Sequence, residues 1–463
     1  MKINSRIDEL RDELISSTQE LVRIKSVEGE ARENMPFGEG VAQALDKALE
    51  ISRRLGFNTV NMDGYIGYAE YGEGEDYVAV LGHLDVVPEG SGWLHPPYGA
   101  EIHEGKMYGR GTMDDKAPIM AALYGLKAVA DSGIELSKRV RIIFGTNEET
   151  NCADMPYYFK TEKAPVAGFT PDANYPVIYG EKGITTFNVV KILENKCTGD
   201  VVIKSIKGGQ RENMVPDYCQ AELYAKNGEA LIKAAEDFKI RTSFDVKAEL
   251  NGDEVIIKST GISAHGSTPQ LGKNAIMQML AFLEELPLGK CDLADYIGFF
   301  NRHVGFETDG KSMGIGLEDK ESGKLSFNVG TITMDSTKVS MGLNLRYPVT
   351  FKYEDMMEPF SEKLEKLGIT IENMTHQKPL FFPDDHQLIK SLQKVYEEQT
   401  GTEAELIAIG GGTYAKEMPN IVAFGPAFPG KPDVVHQTNE YIEIEELVLN
   451  AKIYGHAIYE LAK

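Results

Sequence analysis

The chain has little that would tie it to a membrane, an oxidising compartment or a polyanion. It is 463 residues long with one tryptophan and four cysteines, and no apolar run approaches the length of a membrane span. The opening MKINSRIDELRDELISSTQELVRIKSV sets Ile7, Leu10, Leu14, Leu21 and Val22 among charges. That is the pattern of an amphipathic helix, without the uninterrupted apolar centre of a secretory leader. Cys152, Cys197, Cys219 and Cys291 lie far apart and form no CxxC pair. Such cysteines are expected as reduced thiols in a cytoplasmic protein, not as a zinc finger or a disulfide framework. Positive charge is also scarce: 48 lysines and arginines against 71 aspartates and glutamates leave a formal net charge of -23. Neither nucleic acid nor an anionic membrane surface is therefore expected as a partner, whereas divalent cations are admitted. Much of the acidity has a plainer cause, since soluble enzymes commonly carry it.

A length of 463 residues exceeds one ordinary core and implies two or more domains. After the opening helix, PFGEGVAQALDKALEISRRLGF reads as a second one stopped by Gly56, and FNTVNMD and YIGYAEYG read as strands. YVAVLG is a nearly continuous apolar run of the kind buried on both faces of a sheet, as are RVRIIFG and APVAGF. PIMAALYGLKAVADSG between them is a helix, so strands and helices alternate and predict an α/β layer structure with a mixed, mostly parallel sheet. Beyond about residue 183 the texture changes to alternating strands such as GITTFNVVKIL, CQAELYAK and VSMGLNLRYPV, an α+β pattern. The buried pattern returns near residue 385 and ends in the helix IEIEELVLNAKIYGHAIYELA. One economical reading assigns 1–182 and 380–463 to one domain, with 183–379 inserted into it.

In an open α/β sheet, ligands collect beyond the carboxyl ends of the strands. YVAVLG ends at His83 and Asp85, RVRIIFGTN at Glu148 and Glu149, and APVAGFTP at Asp172. The loop GRGTMDDK brings Asp114 and Asp115, and His436 follows the strand-like NIVAFG and a long loop. Singly, each has a plain reading as a capping aspartate, a solvated helix start or a surface histidine. Together they are two imidazoles and several carboxylates at one edge of one sheet. Carboxylates gathered there repel one another unless a cation sits among them, and the set is large enough for two ions. Mixed histidine and carboxylate ligation suits zinc, with manganese or cobalt admitted. Two such ions can share a bridging carboxylate and an activated water. Asp85 stands on the same side of an extended chain as His83 and is placed to take its second imidazole proton. Of the two adjacent glutamates only one can point at the metals.

GHLDVVP, YGRGTMDDK, GTNEET, FTPDANYP, ISAHGSTP, GGGTYA and VHQTNE together resemble the M20 family of metallopeptidases, and in their detail its PepV-type, carnosinase-like dipeptidases. The motifs cover nearly the whole chain. The resemblance implies a catalytic domain holding two divalent ions, with a lid domain inserted between its halves. It implies that His83 and Asp172 bind one metal, Glu149 and His436 the other, and that Asp114 bridges them, with a cis bond to Asp115. Glu148 becomes the general base and Asp85 the residue orienting His83. From the lid, His265 stabilises the oxyanion with help from Asn213, while Arg346 and the backbone of Gly410, Gly411, Gly412 and Thr413 hold the substrate's terminal carboxylate. The implied reaction is hydrolysis of dipeptides with a free amino terminus by a metal-bridged hydroxide. Deacylation or desuccinylation of N-acyl amino acids is the alternative within the family, and a non-catalytic metal-stabilised binding protein the alternative outside it. A lid of this length implies a monomer. Two positions depart from the family pattern: Ala117 stands where glycine is usual, and Lys416 where arginine is.

Overall fold

The computed structural model describes residues 2–252 and 254–463. They divide into two compact units, 1–179 with 382–407 and 412–463 in the first, and 180–381 with 408–411 in the second. The chain crosses between the units at 179/180 and 381/382, and 408–411 belongs to the second unit, where the sequence reading places it in the first domain. These four residues follow the second unit because the Arg346 guanidinium donates to the Gly410 carbonyl and the Lys182 amide to that of Ile409.

The first unit is built on a mixed sheet. Its centre is four parallel strands in the order Arg139–Gly145, Tyr77–His83, Ala167–Thr170, Ile421–Ala423, with antiparallel strands at its margins. Tyr77–His83 is buried at every position, as its unbroken apolar run requires. Helix Lys116–Asp131, buried along most of its length, packs on this strand and against the long helix Ile444–Ala462. The two helices cross where glycine meets glycine: a Cβ on Gly125 would lie 2.7 Å from the Gly455 nitrogen and 2.9 Å from the Ala451 carbonyl oxygen. The opening segment expected as one helix is two, Lys2–Glu9 and Arg11–Val22.

In the second unit an eight-stranded sheet is antiparallel at every pairing, with helices such as Gly228–Thr242 and Ala275–Glu284 contributing to one apolar core. Its edge strand Thr370–Gln377 is exposed along most of its length, so it has no apolar alternation by which to be recognised. Cys197 and Cys291, 94 residues apart in sequence, are joined in a disulfide. This corrects the expectation of four reduced thiols. The Asp292 carboxylate accepts the Glu194 and Asn195 amides at 2.8 Å, drawing the two segments together in a way sequence spacing does not reveal. It also removes the cysteine argument for a cytoplasmic location. Among the described residues no helix is long and apolar enough to cross a membrane.

The Gly125 crossing predicts that Gly125→Ala destabilises the protein. The methyl group meets backbone that cannot swing aside, and overpacking of this kind costs about 1–3 kcal/mol against the ~1 kcal/mol that alanine gains in a helix. Denaturant unfolding of the variant measures it, and a midpoint at or above wild type would contradict the packing.

Candidate metal centre

Each donor stands at the end of a sheet strand or in a loop fixed by one. His83 closes its strand fully buried, paired with Gly145 on the neighbour. The loop at Asp114–Asp115 carries a cis peptide bond. The Asp115 carboxylate accepts the His83 amide at 3.1 Å, and it can approach so closely because residue 82 is glycine: a Cβ there would lie 2.2 Å from Asp115 Oδ2.

The Asp114 carboxylate faces two imidazoles. Its Oδ1 lies 2.8 Å from His83 Nε2 and its Oδ2 3.0 Å from His436 Nε2. Asp172 Oδ2 stands 3.7 Å from the same His83 nitrogen, and Glu149 Oε2 3.1 Å from that of His436. Donor atoms thus fall into two groups, His83 with Asp114 and Asp172, and His436 with Asp114 and Glu149, each mutually within 4.8 Å. Glu148 belongs to neither group. The Asp85 carboxylate accepts the amides of Glu148 at 3.2 Å and Glu149 at 3.1 Å, so it fixes the turn on which both glutamates sit. Toward His83 Nδ1 it is the Asp85 carbonyl that is closest, at 3.0 Å, with the side chain at 3.5 Å. Asp85 therefore addresses the imidazole mainly through its backbone, a division of labour the His-x-Asp spacing does not disclose.

The electrostatics of the set are those of a site short of positive charge. Burial, then the Asp114 charge, lifts the Asp172 carboxyl well above its ordinary range, and burial pushes Glu148 up to about 8. Against burial, which lowers it, hydrogen bonds to Asp114 and Glu149 raise the His436 imidazole to about 10, and hydrogen bonds to Asp114 and Asp85 raise His83. Two imidazoles and three carboxylates, one of them presenting an oxygen to each imidazole, fit divalent-cation ligation.

The sequence reading overlooked the residues that hold this loop. Glu440 is fully buried and accepts Arg110 Nη1 at 2.7 Å and the amides of Met113 at 2.7 Å, Gly111 at 3.1 Å and Asp114 at 3.2 Å. Arg110 also donates to the His436 carbonyl at 3.3 Å, so one ion pair binds the Asp114 loop to the His436 segment. Buried Asp154 accepts the Thr146 amide at 2.8 Å and the Tyr414 hydroxyl at 2.5 Å, steadying the approach to Glu148. Glu440 was visible in VHQTNE but has no partner within reach along the sequence.

Of the remaining expected site residues, Gly412 and Thr413 lie in the first unit, and Asn213, His265, Arg346, Gly410 and Gly411 in the second. There the Asn213 carbonyl accepts the Gly266 amide at 2.7 Å, and His265 Nδ1 lies 2.6 Å from Ser267 Oγ. Ser267 packs on Gly410, whose carbonyl accepts from Arg346. Arg346 also donates to Asn344 Oδ1 at 2.9 Å, and burial lowers its guanidinium to about 10.

The sequence profile described as Peptidase family M20/M25/M40 matches residues 79–460. The chain belongs to this family. Relatives extend over nearly its whole length: a Bacillus subtilis (strain 168) protein named "Putative dipeptidase YtjP" is 41% identical over 458 residues, covering 98% of each chain. A Staphylococcus epidermidis (strain ATCC 12228 / FDA PCI 1200) protein named "Putative dipeptidase" is 37% identical over 462 residues, again with 98% of each covered. Among solved structures, human carnosine dipeptidase 1 superposes with a TM-score of 0.57 at 16% identity, covering 100% of this chain and 99% of that one. At that identity the likeness speaks for the fold, an α/β domain with an inserted α+β domain.

The Glu440–Arg110 pair predicts a large cost when one partner goes. Glu440→Ala leaves the buried Arg110 guanidinium without its counter-charge and three amides without an acceptor, and should lower the unfolding free energy by about 3–5 kcal/mol. A shift below ~1 kcal/mol in urea unfolding would show that the loop is held by other means.

Proposed function

We propose that the protein hydrolyses dipeptides with a free amino terminus in a divalent-metal-dependent reaction, with Glu148 as general base and acid. One observation carries the reading: the two oxygens of Asp114 each face an imidazole, and Glu148 sits on the adjoining turn outside both donor groups. His83, Asp172 and Asp114 would hold one ion, and Glu149, His436 and Asp114 the other, with zinc the best match to the donors. Ions held there supply a Lewis acid for the peptide carbonyl and lower the pKa of a water from about 15.7 toward about 7.

The protein's own groups do the rest. The Glu148 carboxylate takes a proton from the water as its oxygen attacks the carbonyl carbon, and returns it to the nitrogen as the C–N bond breaks. Asp85 keeps that carboxylate in register through the Glu148 amide. His265 is assigned the oxyanion, assisted by Asn213. Arg346, with the backbone of Gly410, Gly411, Gly412 and Thr413, is assigned the substrate's terminal carboxylate. Arg346 is 4% exposed, and burial lowers its guanidinium with no carboxylate charge raising it. A guanidinium so buried lacks a counter-charge that a carboxylate ligand provides. The dipeptidase names of relatives at 41% and 37% identity support the substrate class.

Glu148→Gln should reduce kcat by roughly 10²–10⁴ while bound metal, counted by mass spectrometry, stays at the wild-type level. Turnover close to wild type would take Glu148 out of the reaction. In a parallel assay, free dipeptides should be cleaved, a chelator should abolish cleavage, and divalent metal should restore it. Preferential cleavage of N-acetyl amino acids would turn the reading to deacylation, and inertness of the metal-loaded protein toward every peptide would turn it to a binding role.

A further inference from the structure

A second cluster of metal-type donors lies on the first unit's small three-stranded sheet, and nothing in the proposed reaction uses it. We propose that His95, Glu101 and His103 form a binding site for one divalent transition-metal ion, in addition to the ions of the Asp114 centre. One ligand atom from each residue lies within 4.8 Å of the others. Glu101 Oε2 is the shared point, 3.0 Å from His103 Nε2 and 3.7 Å from His95 Nδ1. Metal–ligand bonds of about 2.0–2.2 Å in a tetrahedral site set donor atoms about 3.3–3.5 Å apart. The two measured separations bracket that spacing, so small side-chain rotations suffice to close the three donors around an ion.

The backbone beneath these donors is already fixed. Glu101 and His103 alternate on the strand Glu101–His103, so both project from one face, and the strand is paired with Lys106–Tyr108. His95 rests its ring on Tyr108 at 4.2 Å and stacks on His103 at 4.4 Å. Its loop is tied on both sides. The Leu94 amide donates to Asn439 Oδ1 at 2.6 Å, and the Pro97 carbonyl accepts the Arg110 amide at 2.7 Å. Ligands presented by a paired strand and a doubly tethered loop lose little freedom on binding.

The donor types define the ion. Two imidazoles with one carboxylate select zinc, nickel, cobalt or copper over calcium and magnesium, which prefer all-oxygen surroundings. The side chains of Glu101 and His103 are 45% and 49% exposed, which leaves water to complete the coordination and makes this the weaker class of site. Through Leu94 and Asn439 the occupied site also braces the segment that carries His436.

Equilibrium dialysis of the untagged protein against rising Zn²⁺, with bound metal counted by mass spectrometry, tests the site. Wild type should take up one equivalent more than His103→Asn and Glu101→Gln, the difference arising at higher zinc than the tightly held equivalents. Because the readout is a difference of one, it holds whether the Asp114 centre takes two ions, one or none. Equal stoichiometry in all three proteins overturns the proposal. As an independent reading, one equivalent of Cu²⁺ added to wild type holding only its tight zinc should give an electron paramagnetic resonance spectrum with coupling to two imidazole nitrogens. A spectrum without nitrogen coupling overturns it equally.

Discussion

The carboxylate of Asp114 is the point on which the first unit turns. It meets an imidazole from a strand early in the chain on one oxygen and an imidazole from a late loop on the other. Neither segment could be held against it by apolar packing alone, because the meeting is one of polar groups, His83 and Asp114 buried and His436 half exposed. The surrounding structure supplies the restraint. Glu440 gathers the amides of the Asp114 loop, Arg110 neutralises Glu440 and reaches the His436 carbonyl, and Asp85 holds the turn of the two glutamates. Two buried acidic side chains, Glu440 and Asp85, thereby act on backbone donors and so position the candidate ligand side chains. A pre-set donor geometry of this kind is what outer-layer hydrogen bonds provide around metals generally.

Much of this was legible in the sequence, and the reason is positional. Apolar runs such as YVAVLG announce strands buried on both faces, and the residue types just past their ends stand out because nothing structural calls for a histidine or paired glutamates there. Asp114 and His436 were readable for the same reason. Glu440, Arg110, Asp154 and Tyr414 were not, since each is defined by a partner in a distant segment and a lone acidic, basic or phenolic residue has no signature of burial. The His-x-Asp spacing suggested the Asp85 side chain as the partner of His83, while the carbonyl stands nearer. An extended chain offers both groups to the same side, and the spacing alone does not choose.

The second unit was legible in its α+β texture and less so in detail. Its strands announce themselves where one face is buried, and the exposed strand Thr370–Gln377 escapes because both of its faces look alike to a hydropathy pattern. The Cys197–Cys291 bridge escaped because the segments are brought together by hydrogen bonds to Asp292. The assignment of 408–411 to this unit follows from the Gly410 carbonyl meeting Arg346 and the Ile409 carbonyl meeting the Lys182 amide.

The interleaved chain path bears on how the molecule is made. Residues 180–381 are almost the whole of one unit and can fold as soon as they leave the ribosome, in keeping with the tendency of domains to fold as they emerge. The other unit has to wait. Its sheet lacks Ile421–Ala423 and its donor set lacks His436 until the final stretch is synthesised, so His83, Asp114, Glu149 and Asp172 spend most of translation without the imidazole that completes them. Completion of the donor set is therefore a late event in the life of each chain, and a prematurely terminated product would retain a folded insert attached to an unfinished donor set.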